Sequence, residues 1–260
     1  MFPAAASLAI ILLTCGADES PPPLQKFSET QRQMGVEFEI VLYAADEATA
    51  KPAFAAAFKR IEALNQILSD YEPTSELSRL SEASPTAQPV RVSSDLWTVL
   101  DRAQYWSRQS DGAFDITIGP LTKLWRRARR NKELPTPEQI ATAKAAVGYL
   151  HLILDPQQQT AQLKLPAMRL DAGGIAKGFA ADEALAALRK LGITRALVRA
   201  SGDIAAGDAP PGETGWRIGL APLDPDDPPQ HFIRLANAAI STSGDSRQHL
   251  EIAGDRKSVV

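Results

Sequence analysis

Leu170-Asp-Ala-Gly-Gly-Ile-Ala-Lys-Gly-Phe179 is the stretch in which residue types and spacing suit chemistry. Gly173 and Gly174 permit backbone angles that other residues avoid, and they let a ligand come close to the main chain. The stretch that follows, Ala180 to Leu191, has apolar residues at helical spacing and Gly192 as its stop. A helix that starts here turns its unpaired N–H groups and the positive end of its dipole toward whatever lies in the turn. That is an anion site, and Lys177 in the first turn is placed to meet the anion. The alternative is a strand-to-helix turn with a solvated lysine. The G-x-x-x-x-G-K-[ST] order of a Walker loop is absent.

Other candidates are scattered. Tyr71 is the one aromatic in the polar turn Leu68 to Leu77, which Pro73 breaks; it either stacks on a flat ligand or decorates a loop. Asp111 to Pro120 reads as a turn and a short strand, with Asp115 and Thr117 on one face and Phe114, Ile116 and Ile118 directed to the core. Asp115 could bind a ribose hydroxyl or cap a turn. Trp125-Arg-Arg-Ala-Arg-Arg-Asn-Lys132 is the dense basic cluster, and the sequence reads it as a solvated face. Asn237 to Asp245 reads as a strand that runs into a hydroxyl-rich turn.

The elements that must position these residues follow from pattern. A chain of 260 residues, 44% hydrophobic and 23% charged, can bury a full core in one large domain or two intertwined lobes. A formal charge of −3 argues against nucleic acid as a partner. His151, His231, His249 and the single Cys15 fit no familiar zinc spacing, so any metal should be a hard cation on oxygen ligands. Gln33 to Tyr43 alternates as a strand; Lys51 to Asp70 and Ser94 to Ser110 are amphipathic helices, the second with Leu96, Leu100, Ala103 and Trp106 inward. Thr136-Pro-Glu-Gln starts a helix to about Val147, and Arg195 to Asp203 and Trp216 to Leu220 are strands. Residues 1–15 form an apolar segment of signal-peptide length ending at Cys15, residues 16–30 a linker, and residues 31–260 the folded domain. Export is expected. Leu12-Leu-Thr-Cys15 resembles a bacterial lipobox, in which Cys15 would carry the lipid; an ordinary cleaved signal is the alternative.

Met34-Gly35, Ser69-x-Tyr71-x-Pro-x-Ser-Glu-Leu77, Gly112-Ala-Phe-Asp-Ile-Thr-Ile-Gly-Pro120 with Leu124-Trp125, Asp171-x-Gly-Gly-Ile-Ala-Lys-Gly178 and Ser241-Thr-Ser-Gly-Asp245 occur in this order. Together they resemble the FAD:protein FMN transferases, the ApbE family. The resemblance implies an α+β, two-lobed, T-fold-like architecture with the nucleotide cleft between the lobes. It implies FAD as substrate, Mg2+ on the pyrophosphate, and transfer of FMN to a Thr or Ser hydroxyl of a partner protein with release of AMP. By the same resemblance Met34, Tyr71, Ala113, Phe114, Asp115, Asp171 and Lys177 contact FAD. Ser241, Thr242 and the backbone around Gly244 line the cleft, and the Gly174 carbonyl is one Mg2+ ligand. The implied acceptor is a membrane redox-pump subunit, and the implied location is the periplasmic face of a bacterial membrane, held by the lipid on Cys15. A non-catalytic exported flavin-binding protein is the alternative.

Two departures from the family pattern carry expectations. Ser201-Gly-Asp203 stands where the family commonly has Gly-Gly-Asp. After Arg256-Lys-Ser258 the family continues into a histidine motif and then an Asp and a Thr that hold the metal, whereas this sequence ends at Val259-Val260. His249 precedes Ser258 and is no substitute, so the catalytic base is unassigned. The expectation is a C-terminally truncated member with impaired turnover.

Overall fold

The computed structural model describes residues 23–220, 227–243, 249–252 and 255–258. Its main sheet runs in the order β1 (Gln25–Gln33), β2 (Val36–Ala44), β6 (Ala196–Ala200), β7 (Asp203–Ala206), β10 (Ala238–Ser241), each pair antiparallel. β1 and β2 form a hairpin around Met34 and Gly35, both with positive φ. β1 therefore occupies part of the stretch expected to be linker. Its sequence, QKFSETQRQ, has no apolar alternation because it is an edge strand whose residues are at most half-buried.

One face of this sheet is covered by α1 (Glu47–Leu68) and α6 (Ala176–Lys190). Ala50, Ala53 and Ala57 of α1 and Ala180, Ala181 and Ala184 of α6 are buried, and such small side chains let two helices lie close together. α1 begins one turn before the expected Lys51, because the Asp46 carboxylate caps it by accepting from the Thr49 N–H at 2.8 Å. On the other face a smaller cluster gathers Val41, Leu197, Ala206 and Trp216, with Tyr43 tilted against the indole at 5.8 Å. Trp216 opens β8 (Trp216–Leu220), which pairs with β9 (His231–Leu235).

The second lobe is built on a three-stranded sheet, β3 (Val90–Arg91), β5 (Thr160–Leu163), β4 (Leu152–Asp155), with β4 entered through a turn of 3-10 helix at Tyr149–His151. Around it lie α2 (Glu76–Glu82), α3 (Ser94–Gln109), α4 (Gly119–Asn131) and α5 (Pro137–Ala145). Side chains of Ser75, Ser93 and Thr136 cap α2, α3 and α5, the last as a full capping box with Gln139. The two lobes share one apolar core, in which Phe38, Ile40 and Leu42 of the main sheet join Leu96, Leu100, Ile116, Leu163 and Met168. β11 (His249–Ile252) and β12 (Asp255–Ser258) form a separate hairpin. No helix among the described residues is long and apolar enough to cross a membrane.

Two local expectations are corrected. Trp106 is 53% exposed and meets Tyr105 edge-on, because the buried stripe of α3 runs through Ala103, Gln104 and Ser107 instead. Residues 114–118 are not a strand. The Asp115 carboxylate accepts from the Thr117 N–H (2.8 Å) and hydroxyl (2.7 Å), which curls the chain into a turn and into α4. Ile116 goes to the core as expected, Ile118 is 36% exposed, and Ile118 keeps one parallel bridge to Arg169.

Candidate active site

The glycine-rich loop leaves the core at Leu170 and Asp171 and enters α6 at Ala176. Asp171 Oδ1 accepts from the Gly173 N–H at 2.8 Å, and the Ala172 carbonyl accepts from the N–H groups of Ile175 and Ala176. Gly173 and Gly174 are exposed, and a Cβ on Gly174 would stand 3.2 Å from the Phe114 ring. The loop thus lies against Phe114 with main chain turned outward. Unlike α1, α2, α3 and α5, α6 has no side-chain cap, and past the Ala176 N–H, which the Ala172 carbonyl takes, the N–H groups of Lys177 and Gly178 remain available to a ligand.

Lys177 is half-buried and paired. Its Nζ lies 2.8 Å from Asp203 Oδ2, and the other oxygen of Asp203 accepts from the Ser241 hydroxyl at 2.5 Å. Thr242 follows, its N–H and hydroxyl donating to the Gly202 carbonyl at 3.0 and 3.2 Å. Ser201, at φ 57°, and Gly202 make the tight turn between β6 and β7 that brings Asp203 opposite α6. A cleft of about 160 Å3 opens there between α6 and the β7–β10 edge, lined by Gly178, Asp182, Asp203, Ile240 and Ser241 among others.

A second cluster sits on the far side of the loop. Arg126 of α4 reaches Asp70 through Nη1 and Asp171 through Nη2, the latter at 3.2 Å, and its guanidinium lies 4.0 Å over the Tyr71 ring. Burial and the neighbouring Asp171 charge push the Asp70 carboxyl above its usual range, and Arg126 offsets this only in part. Burial works against the charge on Arg126, but its bonds to Asp70, with Asp171 beside them, outweigh it and raise the guanidinium pKa. Tyr71 itself remains 74% exposed.

The structure therefore gathers Tyr71, Phe114, Gly174, Asp171, Lys177, Ser241 and Thr242 along one loop. Asp115 serves the scaffold: besides holding Thr117, it accepts from the Tyr149 N–H at 2.9 Å. Ala113 lies in the same turn, donating to the Ser110 carbonyl at 3.0 Å, and Met34 stands half-buried in its hairpin against the main core. Gly244 and Cys15 lie outside the described residues. Sequence reasoning missed Arg126, Asp70 and Asp203. The Ser-Gly-Asp turn was the available signal for Asp203, whereas Arg126 was hidden in a run read as a solvated face.

Among the described residues no three His, Cys, Asp or Glu side chains cluster to hold a metal. The carboxylates of Asp171 and Asp203 are spent on Arg126 and Lys177. No backbone N–H among the described residues donates to the Gly174 carbonyl.

Fold and site define an α+β protein whose lobes meet at a glycine-rich helix entrance flanked by an exposed aromatic and a half-buried Lys–Asp pair. The chain belongs to the ApbE family, whose sequence profile matches residues 34–259. The FAD:protein FMN transferase of Salmonella typhimurium is 30% identical to it over 265 residues, covering 98% of this chain and 75% of the relative. That of Haemophilus influenzae is 32% identical over 199 residues, 74% of this chain and 58% of the relative. The ApbE protein of Thermotoga maritima superposes with a TM-score of 0.80 at 25% identity, over 89% of this chain and 74% of that one. Flavin transferase ApbE from Vibrio cholerae does so with a TM-score of 0.75 at 28% identity, over 87% and 74% of the two chains.

Proposed function

We propose that this protein is an FAD:protein FMN transferase. An acceptor Thr or Ser hydroxyl attacks the FMN-side phosphorus of FAD, the bridging P–O bond breaks, AMP leaves with the bridging oxygen, and the hydroxyl proton passes to a base. The observation that carries this reading is the uncapped start of α6 beside Lys177, in a chain that matches named flavin transferases along nearly its whole length. Phosphoryl transfer asks of a protein mainly that it position the groups and neutralise charge. Free N–H groups at α6 receive the pyrophosphate. The Lys177 ammonium, held by Asp203, adds a fixed positive charge next to them. The Gly174 carbonyl would help to hold Mg2+, which would supply further neutralisation of phosphate charge. Tyr71 and Phe114 offer ring surfaces for the flat parts of the nucleotide.

The N-terminal segment supports a second element of the proposal. The protein is exported, lipidated at Cys15, and acts on a protein of the membrane surface such as a redox-pump subunit; Cys15→Ser would release it from the membrane fraction.

Purified protein incubated with FAD and Mg2+ in the presence of a hydroxyl-bearing acceptor should release AMP, seen by chromatography, and EDTA should abolish it. FAD binding with no AMP under any condition would select the flavin-carrier reading instead.

A further inference from the structure

Arg126 is the residue of the site that nothing in the sequence suggested, and its geometry gives it a task. Its neighbours Arg127, Arg129 and Arg130 on α4 are exposed, whereas Arg126 turns inward to 29% side-chain exposure. Both ends of its fork are occupied, one by Asp70 and one by Asp171. Two carboxylates against one guanidinium leave no positive surplus, so Arg126 cannot serve as a phosphate clamp without abandoning a buried carboxylate. What remains is its flat face, and that face lies on the Tyr71 ring at 4.0 Å.

The loop carrying Tyr71 is braced as well. The Ser69 hydroxyl accepts from the N–H groups of Tyr71 (3.3 Å) and Glu72 (3.2 Å), and the Ser69 carbonyl accepts from the hydroxyls of Ser75 (2.5 Å) and Ser78 (3.0 Å). With one ring face covered by Arg126 and the residue still 74% exposed, the opposite face is open to solvent. An exposed tyrosine ordinarily loses rotamer freedom when a ligand stacks on it; this one is held in place beforehand.

Resting on the FAD reading above, we propose that Arg126 is a positioning residue of the nucleotide site. It backs Tyr71 so that the open face of the ring receives a flat heteroaromatic ring of the substrate. Through Asp171 it also fixes that platform relative to the glycine-rich loop. The recognised chemistry is a planar ring joined to a phosphate, as either half of FAD provides.

The test is FAD titration of the purified protein, followed by quenching of flavin fluorescence, with wild type, Arg126→Lys and the double variant Arg126→Met/Asp70→Asn. The double variant removes one of the two carboxylates that Arg126→Met alone would strand and leaves Asp171, which the glycine-rich loop needs. With far-UV circular dichroism unchanged, both variants should bind FAD about tenfold more weakly and with less quenching. In turnover the defect should fall on KM for FAD and not on kcat. Titrations with FMN and with ADP separate the two rings: weakening confined to FMN places the isoalloxazine on Tyr71, and weakening confined to ADP places the adenine there. Wild-type affinity and quenching in both folded variants, with Tyr71→Ala impaired, would overturn the role of Arg126. A wild-type protein that binds no FAD would overturn the FAD reading itself, and this inference with it.

Discussion

Lys177 and Asp203 form an ion pair that only the folded chain can show, since one stands at the start of α6 and the other opens β7. If the Lys177 ammonium neutralises developing phosphate charge, Lys177→Met should lower AMP release by about 100-fold, the usual cost of losing one such donor. Chromatographic assay of the folded variant checks this; activity near wild type would remove Lys177 from the mechanism. Gly202→Ala tests the turn itself. A Cβ there would stand 2.7 Å from the Thr242 carbonyl, so Thr242 must retreat from the site. The expected loss is about 1–3 kcal/mol of stability, read as a lower Tm. At this scale the glycine-rich turn into α6 was legible because the signal is local. Arg126 was not: its partners Asp70 and Asp171 lie 56 and 45 positions away, and no local pattern marks one arginine in a run as the inward one.

The elements that carry these residues are tied by charge as well as by apolar packing. Arg60 of α1 forks onto Asp95 of α3, with both bonds at 2.7 Å, and onto Glu183 of α6, at 2.6 Å. Side-chain exposures of 27%, 22% and 33% leave the cluster partly screened, so Arg60→Met should destabilise the fold by about 1–2 kcal/mol in chemical denaturation. The Arg60 hydrogen bond holds the Asp95 carboxyl below its usual range, against the opposing effect of burial. A carboxylate depressed in the folded state stabilises above its unfolded pKa of about 4, and that contribution is lost as pH falls through the folded value. Stability should therefore drop below about pH 4, with a shallower acid branch in Asp95→Asn; identical acid branches would contradict the assignment. Helices α1, α3 and α6 were readable from their apolar stripes, though Asp46 moved one boundary and Ser107 took the inward position expected of Trp106; α2 and α4 were not expected. The expected strand at 114–118 failed because the Asp115 side chain competes for the backbone, and β1 was missed because edge strands need no apolar alternation.

Across the whole molecule, two sheets and their helices share one core, and the loop from Leu170 to Ala176 crosses where they meet. Ligand that binds only the folded protein raises its stability with concentration, so FAD should shift Tm upward in proportion to the logarithm of its excess over Kd. The α+β class was legible from five short motifs in order; how the lobes close around the loop was not, because it depends on pairings such as β2 with β6 that span most of the chain. The most direct test of the account is to incubate protein, FAD, Mg2+ and a threonine-bearing acceptor, then measure AMP and acceptor-bound FMN together. The account predicts both, in equal amounts and both lost in Lys177→Met. Intact FAD and unmodified acceptor, from a folded protein that binds FAD, would contradict it.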